Sequence, residues 1–402
     1  MNQKSLQLAK ELEAELKNRI LPFWAEHTPD WEYGGFIGYI SADMNVEREH
    51  FKSGVICARI LWTFSKAYHH YKNEEYLKIA RHAYEFLTTA FWDKENGGIY
   101  WTVDYQGNCE SGKKQIYAQA FAIYGLAEYY RASGEQDALK MAMELFRYLE
   151  RYGYDAEYGG YIDALDKDWS TLEDTSLSDK DMNVAKTMNT NLHVIEGYTN
   201  LFSITADENV RTALKKITED MVQYILDDSS GHFLMYFDKD WTKRSDMVSY
   251  GHDIEGSWLL EEAAAVLGDA ELYARIKATA LQMAEMVYQD GCDLQNGGLY
   301  GEMEHGNPVG DDKEWWTQAE AVVGFYNAYT LSGDGKYLDC AAEIWEYIKS
   351  HLLDYENGEW FWGVSLQGCA HENEEKVGPW KCPYHNGRMC FEIINRVKAE
   401  EK

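Results

Sequence analysis

Proline is scarce in this chain, with five in 402 residues, and no stretch rich in serine, proline and glycine interrupts it. Linkers of the usual composition are therefore missing, and a single unit over residues 1–402 is the expected organisation. Ordered cysteine pairs are missing too. The seven cysteines (57, 109, 292, 340, 369, 382 and 390) are odd in number, scattered and never spaced C-x-x-C. That excludes a zinc ribbon or a thioredoxin-type motif and fits a reducing cytoplasm. No run of 18 apolar residues occurs, so no membrane-spanning segment is expected. Met1-Asn2-Gln3-Lys4-Ser5 leads into a charged amphipathic stretch rather than the apolar core of a signal peptide. Basic charge is in short supply: 38 lysines and arginines against 68 acids leave a formal charge of −30. Such a field repels phosphate backbones and anionic bilayers, which disfavours nucleic acid and membranes and leaves a neutral small molecule as partner.

What is present is a repeat. Two turn residues followed by an aromatic or aliphatic run recur as Tyr33-Gly34-Gly35-Phe36, Asn96-Gly97-Gly98-Ile99, Tyr158-Gly159-Gly160-Tyr161 and Asn296-Gly297-Gly298-Leu299. Weaker copies are Ser230-Gly231-His232-Phe233 and Asn357-Gly358-Glu359-Trp360. Measured between second turn positions 35, 98, 160, 232, 298 and 359, the steps are 63, 62, 72, 66 and 61 residues. Units of that size are too small to keep separate cores and must bury their apolar faces on one another. Each phrase reads as a tight turn followed by a short strand, because Gly-Gly supplies positive φ without a Cβ clash.

Two kinds of helix fit between successive phrases. Residues 74–90 have one broad apolar face (Tyr76, Leu77, Ile79, Ala80, Ala83, Tyr84, Phe86, Leu87) and one charged face (Glu75, Lys78, Arg81, Glu85), the pattern of a surface helix. Similar stretches lie near 4–20, 137–151, 208–226, 270–289 and 336–352. Residues 54–68 are instead apolar nearly all round, as are stretches beginning near 115, 187, 252, 315 and 385, which predicts buried helices. Gly134-Glu135, Gly268-Asp269 and Gly333-Asp334 would end one helix and cap the next. Six helical hairpins closed into a toroid, an all-α (α/α)6 barrel with short β-hairpins at its rim, satisfy every buried face. An open solenoid would need polar capping repeats, whereas the last stretch, 385–397, has the inner character.

Polar residues interrupt the inner stretches near their N-terminal ends: Arg59; Tyr117 and Gln119; Asn189 and His193; His252, Asp253 and Glu255; Trp315, Trp316 and Glu320; His385, Asn386 and Arg388. Singly, each has an ordinary explanation. A buried histidine is more often a satisfied core residue, Arg59 could neutralise a carboxylate, and Trp315-Trp316 could be core. Inner helices of a toroid are parallel, however, so these groups share one rim and together outline a pocket. Imidazole is a base near neutral pH, and His252 and His385 on different walls could take a proton from one face of a planar intermediate and return it to the other. Arg59 could hold the enediolate oxygen, and Glu255 could orient an imidazole or bind a hydroxyl. Zinc is disfavoured, since no H-E-x-x-H pair occurs and the histidines come from separate helices.

Tyr250-Gly251-His252-Asp253-Ile254-Glu255, Trp315-Trp316-Thr317-Gln318-Ala319-Glu320 and Pro379-Trp380-Lys381-Cys382-Pro383-Tyr384-His385-Asn386-Gly387-Arg388 closely resemble the cellobiose 2-epimerases of the N-acylglucosamine 2-epimerase superfamily. Arg59 and His193, in their surroundings, match as well. The resemblance implies an (α/α)6 barrel and reversible C2 epimerisation of the reducing-end glucose of β-1,4-linked disaccharides such as cellobiose and lactose. It implies ring opening, a cis-enediolate, and no nicotinamide, ATP or metal cofactor. By resemblance His385 and His252 are the acid/base pair and His193 assists ring opening or stabilises the intermediate. Arg59, Tyr117, Asn189, Glu255, Trp316, Glu320 and Trp380 would bind substrate. Rival readings are a monosaccharide isomerase or N-acylglucosamine 2-epimerase on the same barrel, a glycoside hydrolase using Asp253, Glu255 or Glu320, and a non-catalytic toroid. The long 72-residue step places its excess at 166–186, as a lid, a wall for the second sugar, or a plain surface loop.

Overall fold

Stretches apolar on all sides become the inner helices Gly54–Tyr71, Ile116–Ser133, Met188–Thr205, Tyr250–Leu267, Trp315–Ser332 and Tyr384–Glu400 in the computed structural model, which describes residues 2–310, 312–371 and 373–400. The two-faced stretches become the outer helices Gln3–Glu15, Glu74–Phe86, Gln136–Tyr148, Glu208–Asp220, Ala270–Met286 and Gly335–His351. The first five outer helices run on into a five-residue π turn. Each of the first five inner helices ends on a left-handed residue, and the next side chain caps the outer helix. Gly134, Gly268 and Gly333 are followed by the caps Glu135, Asp269 and Asp334, as the punctuation predicted. Lys72 and Ala206 take the same left-handed role without being glycine, ahead of the caps Asn73 and Asp207.

Each inner helix packs on the next, and the sixth packs on the first, so the ring closes; the first outer helix lies against the sixth inner one. The fold is an (α/α)6 barrel. Glycine lets neighbouring inner helices approach closely. A Cβ on Gly125 would sit 2.6 Å from the Ala58 carbonyl, and one on Gly197 2.7 Å from that of Ala120. Among the described residues no helix is long and apolar enough to cross a membrane.

The turn phrases differ from expectation in one respect. Most are followed by a single antiparallel bridge, such as Trp92 to Ile99 and Cys292 to Leu299, rather than by a regular strand. Rim strands mainly join successive repeats: Lys52–Ser53 pairs with Thr102–Val103, and Lys114–Gln115 with Ala164–Leu165. True hairpins also occur, as in Glu302–Glu304 with Asn307–Val309. The reason is geometric, since the strand before each inner helix lies beside the next repeat's turn.

Two devices, unforeseen in the sequence, tie these turns down. In five repeats an aspartate caps the turn and takes a buried lysine: Asp30 with Lys52 (2.7 Å), Asp93 with Lys114 (2.8 Å), Asp155 with Lys186 (2.8 Å), Asp293 with Lys313 (2.7 Å) and Asp354 with Lys376 (2.6 Å). The fourth repeat has Val248 two residues before its inner helix, where four others carry the lysine. There His232 bridges Asp253 (2.8 Å) and Asp290 (3.5 Å). The second device is an amide clamp: Gln119 accepts from the Ile99 N–H and donates to its carbonyl, Asn191 does the same for Tyr161, and Gln318 for Leu299.

Candidate active site

Residue two of an inner helix and residue six lie four apart and face the barrel axis together. Tyr117, Asn189, Trp316 and His385 hold second positions; Arg59, His193, Glu255 and Glu320 hold sixth positions. His252 is third on its helix, and Trp380 enters from the loop before the sixth. Position four is turned toward the rim. Gln119 therefore clamps its turn, and Asp253 accepts from the Phe233 N–H and pairs with His232, so neither lines the pocket as its helix position had suggested. Asn386 likewise donates to Glu359 at 2.7 Å, and Trp315 is buried against Trp362 as core.

Each histidine is anchored at Nδ1. His193 meets Glu196 at 2.9 Å, His252 meets the Ser249 hydroxyl at 2.7 Å, and His385 meets Glu320 at 2.7 Å. Among the described residues Glu255 anchors none of these imidazoles and binds Arg388 instead. Anchoring one ring nitrogen fixes the other, and here it leaves Nε2 without a partner among the described residues. The Trp316 indole lies between two of the rings, 4.7 Å from His252 and 5.6 Å from His385, centre to centre. Burial, with His193 and Arg59 nearby, pushes His252 down to about 3. Burial, with Arg59 and Arg388 nearby, also holds His385 well below the ordinary imidazole range. Both rings are thus neutral at physiological pH.

Arg59 is 3% exposed and has no carboxylate partner among the described residues. It donates to the Tyr117 hydroxyl at 2.7 Å and stacks on Phe121 (4.2 Å) and Tyr384 (4.8 Å). A buried guanidinium with its Nε unbonded, facing aromatic rings rather than an acid, keeps its charge for something else. The Asn189 Oδ1 is likewise buried and unpartnered. Trp380 stands near Trp101 (6.0 Å) and Tyr117 (6.2 Å), so aromatic faces gather on this side of the pocket.

Below the histidines, Arg388 gathers three carboxylates from three helices: Glu196, Glu255 and Glu320, the last at 2.7 Å. Glu320 also binds His385, and it accepts from the Trp258 indole at 3.2 Å, so its visible work is to hold that ring. Burial and the neighbouring Glu320 carry Glu255 up to about 7 against the pull of Arg388. Burial would raise Glu196 too, but Arg388 and the bonds from His193 and Tyr384 hold it at about 2. Donor atoms of Glu255, Glu320 and His385 lie within 4.8 Å of one another, a metal-like grouping. The Arg388 guanidinium already bonds both carboxylates and fills the place a cation would take. Glu196 and Ser249 escaped the sequence reading: Glu196 sits one turn deeper than the other site residues, and Ser249 precedes its helix. The spacing of Glu196, three residues after His193, was the available signal.

The 166–186 segment is pinned across repeats. Lys113 and Gln115 donate to the Ser176 carbonyl at 2.7 and 2.8 Å, and Tyr236 donates to Asp181 at 3.1 Å. Trp169 stacks on Tyr148 and Tyr152, at 5.3 Å from each.

Comparison with known proteins bears on the family and the fold. The family model described as N-acylglucosamine 2-epimerase (GlcNAc 2-epimerase) matches residues 35–386. A cellobiose 2-epimerase of Bacteroides fragilis is 43% identical over 387 residues, covering 96% of this chain and 98% of that protein. One from Ruminococcus albus is 41% identical, covering 97% and 99%. The solved structure of a cellobiose 2-epimerase from Bacillus thermoamylovorans superposes with a TM-score of 0.92 at 39% identity, covering 97% of this chain and all (100%) of that one.

Proposed function

The chain belongs to the N-acylglucosamine 2-epimerase family, and we propose that it acts as one (α/α)6-barrel catalytic unit that epimerises C2 of the reducing-end glucose of β-1,4-linked disaccharides. Cellobiose would give glucosyl-mannose, and lactose epilactose. In the open-chain sugar the C1 aldehyde acidifies the C2 proton, so a neutral imidazole suffices as base. His252 and His385, on two inner helices flanking Trp316, would serve opposite faces of the cis-enediolate: one ring takes the C2 proton on its free Nε2, and the other, first protonated at Nε2 by solvent, returns a proton to the opposite face. Arg59 and the Tyr117 hydroxyl would receive the charge developing on oxygen. His193, Asn189 and Glu255 would bind hydroxyls, Glu320 would hold His385, and Trp316 and Trp380 would offer flat faces to sugar C–H groups. The reducing cytoplasm is the proposed compartment, on the odd and scattered cysteines.

The observation that carries this reading is the pair of neutral, Nδ1-anchored imidazoles beside an arginine with no acid partner among the described residues. Hydrolysis fits less well. Retaining glycosidases separate their carboxyls by about 5–5.5 Å and inverting ones by about 6.5–9.5 Å. Glu255 and Glu320 are both bound to Arg388, so neither is free to flank a scissile bond, while Asp253 is spent on His232. Chromatography of reactions with cellobiose, mannose and N-acetylglucosamine tests the proposal. An isomeric disaccharide from cellobiose, formed faster than any product of the two monosaccharides, is expected. Free glucose, or a preference for either monosaccharide, would contradict it.

A further inference from the structure

Glu196 stands ninth on the third inner helix, 2% exposed, and no step of the two-imidazole chemistry calls on it. We propose that Glu196 is a positioning residue, which fixes His193 in its Nδ1–H tautomer and thereby presents the bare Nε2 lone pair to a sugar hydroxyl. This rests on the epimerase reading above and deepens it. The Arg388 guanidinium and the Tyr384 hydroxyl both donate to Glu196, and Arg388 donates to Tyr384 as well. A carboxylate held ionised in this way can only accept hydrogen bonds, so in the 2.9 Å contact the hydrogen belongs to His193 Nδ1. A neutral ring then has no hydrogen on Nε2. Aromatic neighbours brace it in that orientation: Tyr117 meets it edge-on at 5.0 Å, and Phe121 lies 4.8 Å away. In that form His193 accepts a hydrogen bond from the sugar at Nε2, and Arg59 and Tyr117 take the charge on the oxyanion.

The experiment is NMR of protein labelled with 15N-histidine, paired with kinetics on cellobiose. Wild type should show His193 protonated at Nδ1 and bare at Nε2. Glu196→Gln is nearly isosteric, but its amide can donate to Nδ1. It should lose that pattern and lower kcat about 10- to 100-fold, the scale of removing a partner that orients an imidazole, with less effect on KM. Glu196→Asp keeps the charge and should keep the tautomer and part of the rate; it carries the test if the Gln variant does not fold. A wild-type His193 bare at Nδ1, or a folded Glu196→Gln protein with unchanged tautomer and kcat, overturns the proposal. Loss of the tautomer in Glu196→Gln, in a protein that never converts cellobiose, would support the positioning role and contradict the epimerase reading.

Discussion

A histidine at the start of a buried helix can be structural or chemical, and its neighbours decide which. His252 has a hydroxyl on one nitrogen, a tilted indole beside its ring and a cation nearby, but no acid partner among the described residues. Replacing His252 or His385 by asparagine should lower epimerisation about 100-fold or more, the scale of general acid–base catalysis, with helical circular dichroism unchanged. Near-wild-type turnover in either folded variant would remove the paired-imidazole chemistry. Burial of neutral His252 has a further consequence for stability. Its value is about 3 in the fold against 6.5 for an ordinary imidazole, so below 6.5 the unfolded chain takes up a proton that the folded one refuses. The contribution is present in full above 6.5 and is lost as pH falls toward 3. Thermal melts should therefore show the stability of wild type, relative to His252→Asn, shrinking from about pH 7 to about pH 4. A difference that stays constant with pH would mean that His252 is solvated. At this scale the sequence disclosed most of the pocket, because ionisable groups on an apolar helix stand out. It could not separate position four from positions two and six, which differ only in the direction they face. Gln119 and Asp253 thus looked like site residues, while Glu196 looked like an ordinary acid.

Elements are held together by contacts the helical pattern does not encode. Lysine and aspartate in a staple are 20 to 31 residues apart, and each alone reads as a surface charge. Lys114 is fully buried with its ammonium 2.8 Å from Asp93. Lys114→Met would leave that carboxylate uncompensated in the interior, at a cost of about 3–5 kcal/mol. Urea unfolding measures this, and a change below about 1 kcal/mol would mean that the staples are incidental. The fourth repeat should behave differently, since its staple can titrate. Burial alone would lower His232, but Asp253 and Asp290 outweigh it and raise the imidazole above 6.5. A raised value means stabilisation that is full below 6.5 and fades as pH rises through the folded value. The destabilisation caused by His232→Gln should accordingly be largest in mild acid and diminish in alkali; a loss independent of pH would assign His232 a packing role only. The inter-repeat strands were unreadable for a related reason. Pieces of two or three residues carry no periodicity, and their partners lie in the next repeat.

The molecule as a whole follows from its repeat. Six turn phrases predicted six hairpins, and an inner-type helix at the C-terminal end predicted closure against the first outer helix, both of which the ring displays. Closure serves the chemistry because parallel inner helices bring their N-termini to one rim, where groups far apart in sequence meet. His252 and His385, 133 residues apart, flank one tryptophan as a result. The turn insertion at 166–186 is anchored to the second and fourth repeats, so several units share in holding it. The measurement closest to this arrangement follows the C2 proton of cellobiose by NMR in heavy water. Two imidazoles that exchange protons with solvent, working on opposite faces, predict deuterium at C2 of the mannose-ended product, and its loss in both His252→Asn and His385→Asn. Product that keeps its original C2 hydrogen would contradict removal and return of that proton by the two histidines.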